Sequence, residues 1–152
     1  MQSFLGIDYG DRRIGLSYGD ELGIAFPIAP AVEPEHAARV ARVVAEARRR
    51  KATALVVGYP LNMDGTAGPR TVVTDDFIAE IEAFLPGVPV HRVDEGLTSV
   101  EAEGTFSSRR RGRTAKERQR HRQTGELDSR AATLILQDFL NARGYGFGGG
   151  GG

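Results

Sequence analysis

Phe4-Leu5-Gly6-Ile7-Asp8-Tyr9-Gly10-Asp11-Arg12-Arg13-Ile14-Gly15-Leu16-Ser17-Tyr18 is the stretch that decides the fold. Phe4 to Asp8 reads as a buried strand that ends on a carboxylate. Gly10-Asp11-Arg12-Arg13 turns the chain, and Ile14, Leu16 and Tyr18 then alternate with Gly15 and Ser17, as a hairpin partner does. Asp20-Glu21-Leu22-Gly23 turns it again. Ile24 to Ile28 reads as a third short strand, and its Pro27 belongs at an edge or a strand end.

Beyond this meander the pattern changes to helices alternating with strands. A helix starts at Pro34-Glu35 and runs to about Lys51, with Val40, Val43, Val44 and Ala47 as its apolar stripe and Arg39, Arg42, Arg48 and Arg49 on wetter faces. Ala54 to Val57 is a continuous apolar run ending at Gly58, the pattern of a central parallel strand. Pro69 suits the first turn of the next helix, whose stripe is Val73, Phe77, Ile78, Ile81, Phe84 and Leu85, and Pro86-Gly87 stops it. Val88 to Val93 returns as a strand. Thr98 with Glu101 forms a capping box for a helix to about Ser108. Asp128 to Ala142 is the last helix, turning Ala131, Ala132, Ile135, Leu136 and Phe139 toward a core. The fold class is therefore α/β, a mixed five-stranded sheet flanked by helices, in one domain over residues 1–143. Residues 144–152, rich in glycine, are expected to be a disordered tail.

The bulk numbers exclude several classes. With 152 residues, 40% hydrophobic and 26% charged, this is an ordinary globular composition with enough chain for one sizeable core. Nothing ahead of the first strand resembles a secretory signal, and no apolar run approaches the length of a membrane span, so no membrane partner is expected. The absence of cysteine removes disulfides and thiolate metal sites and suits a cytoplasmic protein. His36, His91 and His121 are isolated, without zinc-ligand spacing.

Net charge is zero, but it is unevenly spread. Arg109, Arg110, Arg111, Arg113, Lys116, Arg118, Arg120 and Arg122 face one acid, Glu117, across the same fourteen residues. Eight positive charges against one negative leave that segment at +7 and the rest of the chain at −7. A polyanion meets a positive patch on a mildly acidic body, so nucleic acid is the expected partner. The plainer alternative is a solvated basic loop.

Three carboxylates sit where such a sheet gathers ligands, near the carboxyl ends of its parallel strands. Asp8 ends the first strand, Glu95 follows the strand at Val88 to Val93, and Asp128 opens the last helix. Asp128 lies four before Ala132 and seven before Ile135, so it shares the core-facing side. Two carboxylates about 4 Å apart repel by about 4 kcal/mol at an effective dielectric of 20, so a converging set recruits a cation. Hard oxygen donors suit Mg²⁺ or Mn²⁺, one or two ions, and such ions serve phosphodiester hydrolysis. Each residue also has a plain structural reading: Asp8 bonding its own turn, Glu95 as a surface charge, Asp128 as a helix cap. Asp94 points to the opposite side of its strand from Glu95 if the pleat continues.

Four stretches carry a family resemblance: Gly6-Ile7-Asp8-Tyr9-Gly10 with Arg13-Ile14-Gly15; Val57-Gly58-Tyr59-Pro60-Leu61-Asn62-Met63-Asp64-Gly65-Thr66; Asp94-Glu95 with Leu97-Thr98-Ser99 and Glu101-Ala102; and Asp128 with Ala131-Ala132 and Ile135-Leu136-Gln137. Through them the chain, from about residue 4 to 141, resembles the YqgF/RuvX family of pre-16S rRNA nucleases, also described as Holliday junction resolvase-like. The resemblance implies an RNase H-like fold and metal-dependent cleavage of nucleic acid. It also implies Asp8, Glu95 and Asp128 as catalytic and metal-binding residues, and trimming of the 5′ end of precursor 16S rRNA in the cytoplasm. One departure stands out: the family usually has arginine directly after the Asp-Glu pair, and this chain has Gly96. Arg13, Arg92 or a member of the basic run are the candidates to replace that phosphate contact.

Arg109, Arg110, Arg111, Arg113 and Lys116 are expected to hold the substrate backbone, since phosphate attracts them without base reading. Asn62 and Thr66 can donate to phosphate oxygens, or can simply shape a well-fitted turn. The competing functions are a DNA endonuclease selective for branched DNA at four-way junctions and a nucleic-acid-binding factor without catalysis. The chain is expected to act as a monomer or weak homodimer.

Overall fold

The computed structural model describes residues 1–62, 64–94 and 129–145. Five strands form one mixed sheet in the order β3-β2-β1-β4-β5. β1 (Ser3–Tyr9) pairs antiparallel with β2 (Ile14–Asp20), which pairs antiparallel with β3 (Phe26–Ala31). On its other side β1 runs parallel to β4 (Ala54–Tyr59), and β4 runs parallel to β5 (Val90–Asp94). α1 (His36–Arg49) and α2 (Pro69–Phe84) cover one face of the sheet, and α3 (Arg130–Ala142) covers the other. This is the mixed five-stranded α/β sheet that the sequence pattern predicts. The helix expected from Thr98 to Ser108 lies outside the described residues.

The pleat of β1 divides its residues between two cores. Leu5 and Ile7 join Leu55, Val57, Val43 and Phe77 beneath α1 and α2. Phe4 joins Val56, Ile135, Leu136 and Leu140 beneath α3, with the Phe139 ring edge-on to Phe4 at 5.3 Å. Gly6 shares that second face. A Cβ on Gly6 would collide with Ser17 Oγ and would stand 2.8 Å from Leu136 Cβ and 2.9 Å from the Ala132 carbonyl. The backbone of α3 therefore occupies the space of the missing side chain. Two serines fix that approach. Ser17 Oγ donates to the Ala132 carbonyl at 2.7 Å. Ser129, fully buried, accepts from the Leu16 N–H at 3.4 Å and donates to the Ile28 carbonyl at 2.6 Å, bridging β2 and β3.

Several expectations need correction. Arg39 is not on a wet face: it is only 7% exposed, and its guanidinium donates to the carbonyls of Glu33, Pro34 and Asp11. On α2, Val73 and Phe84 are 46% and 52% exposed, while Thr71 and Thr74 are buried in their place. Threonine tolerates that burial because each hydroxyl bonds a carbonyl of its own helix turn, Thr71 to Gly68 and Thr74 to Arg70. β3 begins at Phe26 rather than Ile24. Gln137 on α3 explains the delay, since its amide accepts from the Ala25 N–H and donates to the Gly23 carbonyl, taking that backbone out of the ladder.

The end of α3 also differs from expectation. Gly144, at φ +81, donates to the Asn141 carbonyl, and Tyr145 donates to the Leu140 carbonyl, which is a Schellman stop. The Tyr145 ring lies 6.0 Å from that of Phe4. Gly144 and Tyr145 thus belong to the packed unit, and the remainder of the glycine tail lies outside the described residues. His91 faces the sheet packing, with its ring 5.0 Å from Phe139; burial, then the nearby Arg143, lowers its pKa.

Replacing Gly6→Ala should lower the unfolding free energy by about 2 kcal/mol or more, because the new methyl group meets Leu136 Cβ and helix backbone as well as the Ser17 hydroxyl. A urea midpoint unchanged from that of the parent protein would show that α3 does not sit as tightly as the geometry indicates. Ser129→Ala should cost about 1–3 kcal/mol, by leaving the Leu16 N–H and the Ile28 carbonyl to compete for buried partners. Amide hydrogen exchange at Leu16 should then accelerate, and an unaltered rate would remove the bridge from the account.

Candidate active site

Asp8 is the penultimate residue of β1 and pairs with Gly15 of β2. It is half-buried, and alternation with Phe4 and Gly6 puts it on the α3 face of the sheet. The start of α3 is held close to it. Ser129, the N-cap residue, bonds the N–H of Leu16, and Leu16 is the register partner of Ile7. The chain enters α3 one rung from Asp8, so the partly positive N-terminal end of the helix faces the neighbourhood of a carboxylate. Ser129 caps no helical N–H with its side chain, because its hydroxyl is spent across the strands.

The opposite flank is the tip of the parallel pair. Ile7 is level with Val57, and Gly58 is level with Val93. Continuing that register by one step sets Asp8, Gly58 and Val93 on one rung. Gly58 presents no side chain between β1 and β5 on the α3 face. Along β5, His91 and Val93 pack with α3, whereas Arg92 turns to the α2 side. Asp94 ends β5, on the same side as Arg92 by alternation.

Glu95 and Asp128 lie outside the described residues, as do Arg109, Arg110, Arg111, Arg113 and Lys116. Among the described residues no group of three or more His, Cys, Asp or Glu comes together. Of the three carboxylates singled out by the sequence, Asp8 is therefore the one whose surroundings can be described. As a half-buried hard oxygen donor it suits Mg²⁺ or Mn²⁺ in kind.

Asn62 and Thr66 do come together, but in the service of their own loop. The Asn62 amide donates to Thr66 Oγ1 at 3.0 Å, and the Thr66 hydroxyl donates to Asp64 at 2.6 Å. Asn62 N–H bonds the Thr66 carbonyl, and Gly65, at φ +86, donates back to the Asn62 carbonyl. The Thr66 hydroxyl, then the Thr66 N–H, holds the Asp64 carboxyl below its usual range. Arg13 is exposed in the hairpin turn just before β2. Arg92 is engaged on the α2 side: it lies 3.4 Å from Asp75, above the Tyr59 ring at 5.6 Å, and Tyr59 donates to the same carboxylate at 2.9 Å. The bond to Asp75 raises the Tyr59 pKa.

Sequence reasoning missed two supports of this site. Arg39 reaches across from α1 to the Asp11 carbonyl and so ties down the turn that follows Asp8. Ser129 positions the entry of α3. The Asp128-Ser129 pair ahead of an apolar helix was a visible capping signal, but nothing in it announces a bond to a strand more than a hundred residues away.

Comparison with known proteins places the chain in a family. The family described as "RuvX: Holliday junction resolvase" matches residues 2–142. A protein of Opitutus terrae named "Putative pre-16S rRNA nuclease" is 54% identical over 139 residues, which is 91% of each chain. One of the same name from Anaeromyxobacter dehalogenans is 43% identical over 140 residues, 91% of this chain and 96% of the other. Among solved structures, Thermus thermophilus RuvC in complex with a Holliday junction substrate superposes with a TM-score of 0.55 at 19% identity, covering 94% of this chain and 96% of that one. A second Thermus thermophilus RuvC structure gives 0.52 at 21%, covering 93% and 96%. That likeness bears on the fold, which is RNase H-like. With the family model matching residues 2–142 and a relative 54% identical over nine-tenths of both chains, the chain belongs to the RuvX family.

Proposed function

We propose that this chain is a metal-dependent nuclease that hydrolyses phosphodiester bonds in precursor 16S rRNA, near its 5′ end, in the cytoplasm. The observation that carries the reading is the placement of Asp8: half-buried at the parallel-strand tip, one rung from the pinned entry of α3 and across a side-chain-free Gly58 from β5. The chain immediately beyond β5 supplies Glu95, and the chain immediately before Ser129 supplies Asp128. Relatives carrying the rRNA nuclease name and matching over nine-tenths of the chain support the substrate class.

In this reading Asp8, Glu95 and Asp128 are the ligands for one or two Mg²⁺ or Mn²⁺ ions. When bound, the ions supply an activated water and neutralise charge on the phosphate. Asp8 holds its end of that set in a fixed position, because β1 is hydrogen-bonded on both sides and the following turn is clamped by Arg39. Arg109, Arg110, Arg111, Arg113 and Lys116 grip the sugar-phosphate backbone, with Arg13 nearer the scissile bond. Asn62 and Thr66 shape the loop after β4 and offer its edge to the substrate. The protein works as a monomer or weak homodimer. Among the described residues no helix is long and apolar enough to cross a membrane.

A side-by-side assay on precursor rRNA, plain single strands and a four-way DNA junction tests the substrate class. Cleavage of the rRNA is expected with Mg²⁺ or Mn²⁺ and not in excess chelator; preference for the junction would instead favour a resolvase. Asp8→Asn should reduce cleavage by about 100-fold or more, the loss of several kcal/mol of charge stabilisation, while binding measured in chelator stays within about threefold. Equal activity of the variant would remove Asp8 from the catalytic set. Changing Arg109, Arg110 and Arg111 together to Gln should flatten the dependence of log affinity on log salt by about 2 for a single strand. An unchanged slope would argue against phosphate contacts there.

A further inference from the structure

On the α2 side of the sheet, at the same strand tip as Asp8, lies a cavity of about 280 Å³. Among the described residues its lining is Tyr9, Asp11, Pro69, Arg70, Val73 and Thr74. We propose that this cavity receives one unpaired nucleobase of the substrate, guanine by preference, next to the scissile phosphate. The proposal rests on the nuclease reading and names how that site selects its RNA.

Size limits the occupant first. Pockets for drug-sized ligands run from roughly 300 to 1,000 Å³, so this one takes a single ring system rather than a base pair or a whole nucleotide. The walls limit it next. Tyr9 is a fixed aromatic surface: its ring stacks on Phe77 at 4.4 Å and meets His36 edge-on at 6.3 Å. Val73 is left 46% exposed by α2 and adds an apolar wall. Aromatic and apolar walls suit a base released from its stack.

The charged groups select further. Asp11 and Arg70 bring opposite charges to one small space. A phosphate there would be repelled by the carboxylate, and a purely apolar ligand would strip both charges of water without replacing it. A base edge with donors beside acceptors satisfies both. Guanine offers N1–H and N2–H to a carboxylate, and O6 and N7 to a guanidinium. Uracil offers one donor. The backbone that carries each group is held: buried Arg39 donates to the Asp11 carbonyl at 3.1 Å, and the Thr74 hydroxyl donates to the Arg70 carbonyl at 3.0 Å within a helix started by Pro69.

The location joins recognition to chemistry. Asp8 and Tyr9 are consecutive, about 3.8 Å apart at Cα, with side chains on opposite faces of one strand. A strand of RNA crossing the tip can place a phosphate on one side and drop the adjoining base on the other. A base in a helical stem cannot enter without leaving its partner, so the cavity favours single-stranded sequence at the cut.

Fluorescence anisotropy in excess chelator tests this without cleavage. The probes are labelled seven-nucleotide RNAs, all uridine or with one central G, A or C. The G probe should bind at least about fivefold tighter than the all-U probe. Asp11→Asn and Arg70→Gln, both at exposed positions, should each erase that ratio, and Val73→Trp should do so by filling the slot. Thermal melts check that the variants fold. Equal affinity for all four probes, no measurable binding of any, or a G preference that survives all three variants overturns the proposal. Cleavage of precursor rRNA without the base preference would defeat the cavity alone. Base preference without metal-dependent cleavage would defeat the nuclease reading alone.

Discussion

The contact on which the rest of the structure depends is the seat of α3 on β1 and β2. Gly6 clears the space, Ser17 and Ser129 supply the hydrogen bonds, and Leu136 presses on the same spot. The arrangement is costly in local terms. A glycine in a strand interior gives up packing and loses more backbone entropy than any other residue. Two buried serines must also find partners for their hydroxyls. What is gained is distance: a helix backbone lying directly against a strand brings its N-terminal end to the rung beside Asp8. A bulkier residue at position 6 would lift the helix and carry its end away.

The opposite face solves a different problem with polar groups. Arg39 is buried by letting three backbone carbonyls, from two separate loops, receive its protons. Hydrogen bonds to a charged group contribute about 1.5–3 kcal/mol each, against a desolvation cost of the same order, so the net gain is smaller than the count suggests. The effect on geometry is larger than the effect on stability. The clamp joins α1 to the β1–β2 turn. Thr71 and Thr74 show the same economy on α2, each closing its hydroxyl on its own helix.

These polar devices mark the boundary of what the sequence disclosed. β1, its hairpin partner and the faces of α1 and α3 were legible because apolar periodicity reports directly which side is buried, and Val40, Val43, Val44, Ile135 and Leu136 follow it. Val73 and Phe84 broke the rule, since α2 buries threonines at positions where periodicity preferred larger apolar residues. Arg39 was illegible because its acceptors are backbone carbonyls, present in every residue and so without a sequence signature. The start of β3 was set by Gln137, more than a hundred residues away. Asp8 was legible as a site candidate because a carboxylate ending a buried strand conflicts with its surroundings, and such conflicts concentrate where function is. For Asn62 and Thr66 the two readings left open were phosphate contact and turn shape; the hydrogen bonds within their loop favour the second as their immediate task.

The tip of β1 shows why a strand end suits this work. Strand alternation sends consecutive side chains to opposite faces, so Asp8 and Tyr9 reach two environments from neighbouring backbone positions. On the α3 face Asp8 looks toward the seat of the last helix. On the α2 face burial raises the Tyr9 pKa and keeps the phenol neutral, with Glu80 acting in the same direction. One residue thus offers a carboxylate on one face and the next an aromatic ring stacked on Phe77 on the other. A loop could not keep that contrast, because rotation about a few dihedrals would mix the two sides. The sheet prevents the rotation by pairing β1 on both edges, so the separation of charged chemistry from aromatic contact follows from its position between β2 and β4.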